Sequence, residues 1–401
     1  KASPKLPVLP TNPAGSLPSS RSRWDEHGNH SSFRFVTPTF PIKHPTRLFP
    51  STGPPQTMNV TNLPSCCPSP ATLWPTFLVI GERKCGTSSF FSYMLDHPHM
   101  LPPRTKEPGF FSLPSLTGKS LLADCCEYGD QFPATRKMDR SKPICMEQLE
   151  LMETGRVQKV KPFCRVPQPG HRYMTGEASA TTLTTAHPHV VQRVLPSAKL
   201  IVLMRCPVAR LLSHYEMYAR FQAEGRADYR TLSPLTALVQ TELIGLQSAK
   251  CSPVTQRRLF SRRKPCYLGH LVSPGLYLSW LLHWAVRWKR NALLPLFTED
   301  LNAASSSAAS LATYMKRPLL HVGLDPDAFP TASRRGDPYR SNVAARVAVG
   351  NHVVRGGEGK SATLRRLENL TCPVYAPANA ALAKWLGREL PVGWRCRTGV
   401  A

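Results

Sequence analysis

Pro75-Thr-Phe-Leu-Val-Ile-Gly-Glu-Arg-Lys-Cys-Gly-Thr-Ser-Ser-Phe-Phe-Ser-Tyr-Met-Leu-Asp96 is the stretch around which the rest of the chain is organised. Its apolar run, Phe77 to Ile80, has the length and branching of a buried strand. Gly81 breaks that run, and Gly86-Thr87-Ser88-Ser89 reads as the start of a helix. Phe90, Phe91, Met94 and Leu95 then recur at helical spacing, so one face of the helix is apolar. A strand, a glycine-bounded loop and a helix N-terminus together form a cradle for an anion. The loop amides turn inward and the helix dipole adds partial positive charge.

The Gly81 to Gly86 spacing is that of the nucleotide-binding loop G-x4-G-K-[ST], with one difference. Thr87 stands where the lysine belongs, and the lysine lies inside the loop as Lys84, beside Arg83. The unit predicts an α/β chain with a P-loop-like three-layer fold, its central, mostly parallel sheet flanked by helices.

A second strand-to-helix turn has the same form. Lys199-Leu-Ile-Val-Leu-Met-Arg205 reads as a strand, Pro207 suits a first helical turn, and Val208, Leu211, Leu212, Tyr215 and Ala219 follow at helical spacing. Ligands of open parallel sheets sit beyond the carboxyl ends of the strands, so both turns are expected to face one crevice. Tyr173 to Glu177 reads as a short strand ending in Glu177, and Pro188 to Leu195 as a helix. Prolines keep Leu101 to Phe111 irregular, which places Lys106 and Glu107 on a rigid non-helical segment. Gly275 to Trp288 is a helix with Tyr277, Trp280, Leu281, Trp284 and Trp288 on a core-facing side; Ala292 to Phe297 is a strand leading to Glu299-Asp300. Helices are expected at Ser305 to Lys316 and Pro377 to Leu386, and a polar loop at 325–360.

Residues 1–70, dense in Pro, Ser and Thr, read as a disordered stem. Residues 71–401 then form the folded domain, with loop-rich insertions near 112–170 and 225–272. The net charge of +26 implies an anionic partner, whether polysaccharide, nucleic acid or membrane surface. Without basic-aromatic interleaving or finger spacing, nucleic acid is not the expected one. The 12 cysteines contain no CxxC pair and no zinc spacing, so no metal is expected. Their scatter suits disulfides in an oxidising compartment, with Cys251–Cys266 and Cys372–Cys396 as candidate pairs. Sequons at Asn29, Asn59 and Asn369 agree with a secretory route. No apolar run approaches the roughly 20 residues of a membrane span, so the chain as given is expected to be soluble.

Several segments, in order from about 75 to 390, resemble one family. They are Gly81 to Ser89, Lys106-Glu-Pro-Gly-Phe-Phe111, Gly176-Glu-Ala-Ser-Ala180, Leu203 to Tyr215, Gly275-Leu-Tyr with Trp284 and Glu299-Asp-Leu301, and Tyr375-Ala-Pro-Ala-Asn379. Together they resemble the carbohydrate sulfotransferases that use 3′-phosphoadenosine-5′-phosphosulfate (PAPS), notably the heparan sulfate and chondroitin (N-acetylgalactosamine 4-sulfate 6-O) types. The resemblance implies transfer of a sulfuryl group from PAPS to a hydroxyl of an anionic glycan, in the Golgi lumen or secretory pathway. Lys84 then stabilises the bridging oxygen, with Arg83, Gly86, Thr87, Ser88 and Ser89 as the phosphosulfate cradle. Arg205 and Ser213 hold the 3′-phosphate, and Lys360, with Arg355 and Gly359, closes over it. Glu107 is the general base if burial raises its pKa, with an ion pair to a nearby Lys or Arg as its other reading. Glu177 and His214 are reserve bases, and Lys106 and Glu177 touch the acceptor.

Three residues depart from the pattern. Glu82 puts a carboxylate in the anion loop and is expected to point away from it, Cys206 stands where Asp is usual, and Gly109 where His is common. The rival readings are a P-loop hydrolase or kinase, a non-catalytic polyanion-binding relative and a nucleic-acid binder. The first lacks a lysine after Gly86 and an acidic residue at the end of the 200–204 strand.

Overall fold

A computed structural model of the chain describes residues 73–112, 127–133, 142–146, 149–151, 157–159, 163–168, 171–225, 233–247, 271–330 and 360–395. The expected stem, the Cys251–Cys266 pair, Cys396, Asn29, Asn59, Arg355 and Gly359 lie outside these residues.

Four parallel strands make the central sheet: β1 (Phe77–Gly81), β6 (Gly176–Glu177), β7 (Lys199–Met204) and β8 (Leu293–Phe297), in the order β6-β1-β7-β8. Every residue of β1 is buried, as are Leu200 to Met204 of β7, which accounts for their unbroken apolar runs. Pro295 lies in β8, an edge strand, where a missing amide is tolerated. Gly176 pairs with Phe77, and a Cβ on it would stand 2.5 Å from the Phe77 ring. Only glycine lets β6 approach this closely. Two antiparallel ribbons, β2 (Ile144–Met146) with β5 (Phe163–Arg165) and β3 (Leu149–Leu151) with β4 (Val157–Lys159), lie in the first expected insertion. A Cys145–Cys164 disulfide joins the former, and Cys372 is also disulfide-bonded, whereas Cys85 and Cys206 are free thiols.

Helices flank the sheet as expected. Helix α1 (Thr87–Asp96) packs on β1 and on α8 (Ala308–Val322), and α8 packs on β7. Helix α2 (Thr182–Thr185) packs on β1 and on α6 (Tyr277–Ala285), and α3 (Pro188–Val194) precedes β7. The aromatic side of α6 is core: Tyr277, Trp280, Leu281 and Trp284 are buried, as is Trp288 beyond its end. Each of these three indoles finds an acceptor, Trp280 on Ser273 O, Trp284 on Leu183 O and Trp288 on Ala198 O.

The helix boundaries differ from expectation in three places. An unexpected helix, α7 (Thr298–Ala304), precedes the one expected at 305–316, which is α8 and starts where the Ser307 hydroxyl accepts from the Ser310 amide. The second insertion contains α5 (Leu235–Gln247), which packs with α4 (Pro207–Ala223) and α9 (Lys360–Leu386) in a smaller apolar cluster. Helix α9 begins at Lys360 and runs through Pro373 and Pro377, the second of which had been expected to start it. Leu367, Val374 and Tyr375 are buried in that cluster, and this tertiary support outweighs the local cost of the prolines. Among the described residues, no helix is long and apolar enough to cross a membrane.

Candidate active site

The loop from Glu82 to Gly86 leaves the carboxyl end of β1, where the Glu82 amide donates to Leu203 O of β7 (2.9 Å). The Cys85 amide turns back to Glu82 O (3.0 Å), and the Phe90 amide to Gly86 O opens α1. Lys84 and Gly86 both have left-handed backbones, with φ of +71° and +79°. That conformation is rare for a lysine, so the turn is held by its surroundings. Gly86 caps α1 without a side-chain acceptor, and the first turn carries no acidic residue. The leading amides of Thr87, Ser88 and Ser89 and the positive end of the helix dipole are therefore unopposed by any carboxylate of that turn.

Two hydroxyls join this loop to the ends of the neighbouring strands. Thr298 Oγ1, just after β8, lies 2.7 Å from Cys85 O and 3.0 Å from Met204 O. Tyr277 Oη donates to Arg205 O (2.9 Å), accepts from the Arg205 amide (3.2 Å) and touches Cys85 Sγ (3.4 Å). Burial pushes the Cys85 thiol up to about 12, so it stays protonated as a packing group. From the end of β7, Arg205 Nη1 donates to Lys84 O (3.2 Å). The Cys206 amide donates to Glu299 Oε1 (2.8 Å) at the start of α4, the helix that carries half-buried Ser213.

Glu82, the carboxylate of this loop, is enclosed in the protein. Its carboxyl is buried and its Oε1 accepts from the Arg83 amide (2.8 Å). Burial raises its pKa to about 7 against the opposing pull of Arg210 and Arg83.

The 106–109 segment is fastened beside the end of β6. The Ala178 amide donates to Lys106 O (2.9 Å), and the Gly109 amide to Ser179 Oγ (3.1 Å). Glu107 is not buried: its side chain is 47% exposed and ion-paired with Lys106. The enclosed carboxyl is that of Glu177, 1% exposed, which accepts from Ser179 Oγ (3.1 Å) and which burial pushes up to about 8. Glu177 was expected to touch the acceptor, but its carboxyl is enclosed within the protein. His214 is likewise buried, 3.3 Å from Arg210 on α4, and stands at no surface where it can serve as a reserve base. Lys360 is the first residue of α9.

The fold thus brings Arg83, Lys84, Gly86, Thr87, Ser88, Ser89 and Arg205 to one edge of the sheet, with Lys106 and Glu107 beyond the neighbouring strand. Thr298, Tyr277, Ser179 and Glu299 complete the arrangement and were missed as participants. Thr298 had a signal: it is the hydroxyl residue directly after a strand whose carboxyl end belongs to this edge. Among the described residues, no group of three His, Cys, Asp or Glu side chains is arranged to hold a metal ion.

No family model matches the chain. It is 23% identical over 244 residues to carbohydrate sulfotransferase 15 of Mus musculus, a match covering 56% of this chain and 40% of that protein. The proteins of the same name from Rattus norvegicus and Homo sapiens are each 22% identical over the same length. The match spans about two fifths of the length of these relatives. Among solved structures, a sulfotransferase from Alicyclobacillus acidocaldarius superposes with a TM-score of 0.45 at 21% identity, covering 80% of this chain and 99% of that one. The sulfotransferase domain from the curacin biosynthetic pathway gives 0.32 at 10% identity, covering 80% and 100%. The sequence similarity is thus to proteins named as sulfotransferases, at 22–23% identity over part of their length.

Proposed function

We propose that this chain transfers a sulfuryl group from PAPS to a hydroxyl of an anionic glycan by in-line displacement, in the Golgi lumen or elsewhere in the secretory pathway. The observation that carries the reading is the junction of the two strand-end loops, where Arg205 donates to the carbonyl of Lys84. A donor with separate 5′-phosphosulfate and 3′-phosphate groups needs two cationic subsites on one edge, and these loops supply them. The residues fit such a donor: a left-handed loop with an inner lysine, a helix N-terminus with no acidic residue in its first turn, and an arginine at the next strand end.

The requirement on the protein is stabilisation of the charge that develops on the leaving phosphate oxygen, and a base for the acceptor hydroxyl. Lys84 supplies the ammonium, with Arg83 beside it, and the amides of Gly86 to Ser89 supply fixed dipoles. Arg205, Ser213 and Lys360 hold the 3′-phosphate. Glu107 is not buried and is paired with Lys106, so it takes the acceptor proton as the exposed carboxylate beside this edge, without the burial expected to raise its basicity, and Lys106 meets the anionic acceptor. The net charge of +26 supports an acidic glycan, and the similarity to proteins named carbohydrate sulfotransferase 15 supports a carbohydrate.

A thermal-shift titration tests the donor site. Stabilisation by 3′-phosphoadenosine 5′-phosphate but not by ATP with Mg²⁺ is expected; the reverse favours a P-loop hydrolase. Transfer of labelled sulfate from PAPS to a panel of glycosaminoglycans then tests the reaction. Lys84→Ala is expected to abolish that transfer while the chain stays folded, and retained transfer overturns the mechanism.

A further inference from the structure

The 106–109 segment is held by a directional hydrogen-bond relay. The Gly109 amide can only donate, so Ser179 Oγ accepts from it, and the Ser179 proton goes to Glu177 Oε2. The Ala178 amide fixes the other end of the segment at Lys106 O (2.9 Å). Three residues beyond Gly109, Ser112 Oγ lies 3.0 Å from Thr181 Oγ1 and accepts from Thr185 Oγ1 (2.8 Å). The strip 106–112 is thus stitched to 177–185 by backbone and hydroxyl contacts, in a region with no regular strand pairing of its own. Of the side chains in this stitching, Glu177 is the one that is a fully buried carboxyl.

The geometry points to Glu177 and Ser179 as positioning residues: through the Gly109 amide they hold the 106–109 segment so that the Glu107 carboxylate stands in place for the acceptor. Neither touches the reacting atoms. The role assigned to Glu107 rests on the sulfuryl-transfer reading, whereas the relay does not.

Glu177 keeps its proton through neutral pH because burial disfavours the anion, an effect added to by the Glu107 carboxylate and opposed by Lys106 and the Ser179 hydroxyl. From the 127–133 segment the buried Tyr128 phenol also feels its charge. Loss of that proton leaves a buried anion near Glu107, so the relay is expected to loosen above about pH 8.

The test reads the exchange of the Gly109 amide by NMR in the full chain labelled with 15N-glycine, from pH 6 to 9, corrected for intrinsic exchange. Ser179→Ala and Glu177→Ala are expected to raise exchange at least tenfold. Glu177→Gln, a neutral isostere, is expected to stay within threefold of wild type at pH 6 to 7 and to lack the loosening seen in wild type above pH 8. Ser179→Thr, which keeps the hydroxyl, is expected to rescue. In labelled-sulfate transfer, Ser179→Ala should lower kcat about tenfold with the KM for PAPS unchanged. Unchanged Gly109 exchange in Ser179→Ala, or a Glu177→Gln as loosened as Glu177→Ala, overturns the relay. The expected exchange pattern in a chain that transfers no sulfate upholds the relay and removes the function proposed for Glu107.

Discussion

The guanidinium of Arg205 donates through Nη1 to the carbonyl oxygen of Lys84 at 3.2 Å, across a separation of 121 residues. The arginine follows β7 and the lysine lies in the loop after β1, and these strands are parallel neighbours. Parallel pairing puts both carboxyl ends on one edge, so the contact follows from topology. The Lys84 backbone sits at φ +71°, and the Arg205 contact helps to hold that unfavourable conformation.

Arg205→Lys keeps the charge but loses the planar fork that reaches both a ligand and the Lys84 carbonyl. The affinity for 3′-phosphoadenosine 5′-phosphate, measured by calorimetry, is expected to fall at least tenfold, or about 1.4 kcal/mol. An unchanged affinity would show that Arg205 serves the loop alone.

Thr298 offers a test of loop support that leaves the cationic groups in place. Its hydroxyl serves the carbonyls of Cys85 and Met204, both in the buried floor of the site. Thr298→Val keeps the shape and removes the donor. A loss of about 1 to 2 kcal/mol is expected, seen as a melting temperature lower by about 2–4 °C per kcal/mol, together with weaker donor binding. A stable variant with normal binding would mean that the loop holds its shape without this tie.

How much of this was legible in the sequence depends on how local its cause is. Arg205 stands directly after one unbroken apolar run and Lys84 in the short loop after another, and a strand buried on both faces must read that way, so both positions were visible. Thr298 has the same relation to β8, whose run is legible despite Pro295, but an uncharged hydroxyl after that strand carries no motif and its part in the loop was missed. The burial of Glu177 was not visible at all. It belongs to the side of the fold where Tyr128 stacks on Phe110 at 4.5 Å, and that stacking brings together segments whose spacing encodes no contact. Glu107, one residue from Pro108 in an irregular segment, had no periodicity from which exposure could be read. The extra turns of α9 were hidden for a related reason: prolines end helices locally, while the support from α4 and α5 is tertiary.

Arg165 sits at the far end of α1 from the anion loop. That helix has no basic residue in its last turn. Arg165, from β5, supplies one: Nη2 donates to Leu95 O (2.7 Å) and Nη1 to Pro98 O (3.0 Å). Its neighbour Cys164 is disulfide-bonded to Cys145, so the bond anchors the ribbon that carries the cap. Arg165→Ala is expected to destabilise by about 1 kcal/mol, and Cys145→Ala with Cys164→Ala by about 2 to 4 kcal/mol, both read in thermal melts. Because α1 carries the anion cradle at its other end, a modest loss of donor affinity should accompany both. Melting temperatures equal to wild type in both variants would discount this support.

The pH dependence of stability follows from buried acids and buried imidazoles that act in opposite directions. Glu82 and Glu242 are raised from 4.5 to about 7 and Glu177 to about 8, in each case chiefly by burial. A carboxyl raised in the fold contributes stability that is complete below about 4.5 and is lost as pH rises through the folded value. His97 and His321 are lowered by burial from 6.5, so their contribution is present above 6.5 and is lost as pH falls through their folded values. The three carboxyls outweigh the two imidazoles, so the net contribution of these groups falls from mild acid to mild alkali. Repulsion within a chain of net charge +26 also changes with pH as surface histidines titrate, so melts should be run at about 0.5 M NaCl to screen it. Each tenfold bias in proton affinity is worth about 1.4 kcal/mol, so the melting temperature at pH 6 should exceed that at pH 8.5 by at least about 3 °C. A melting temperature that rises steadily from pH 6 to 8.5 would mean that these carboxyls are ionised in the folded chain at neutral pH, and with them the proton on Glu177 would be lost.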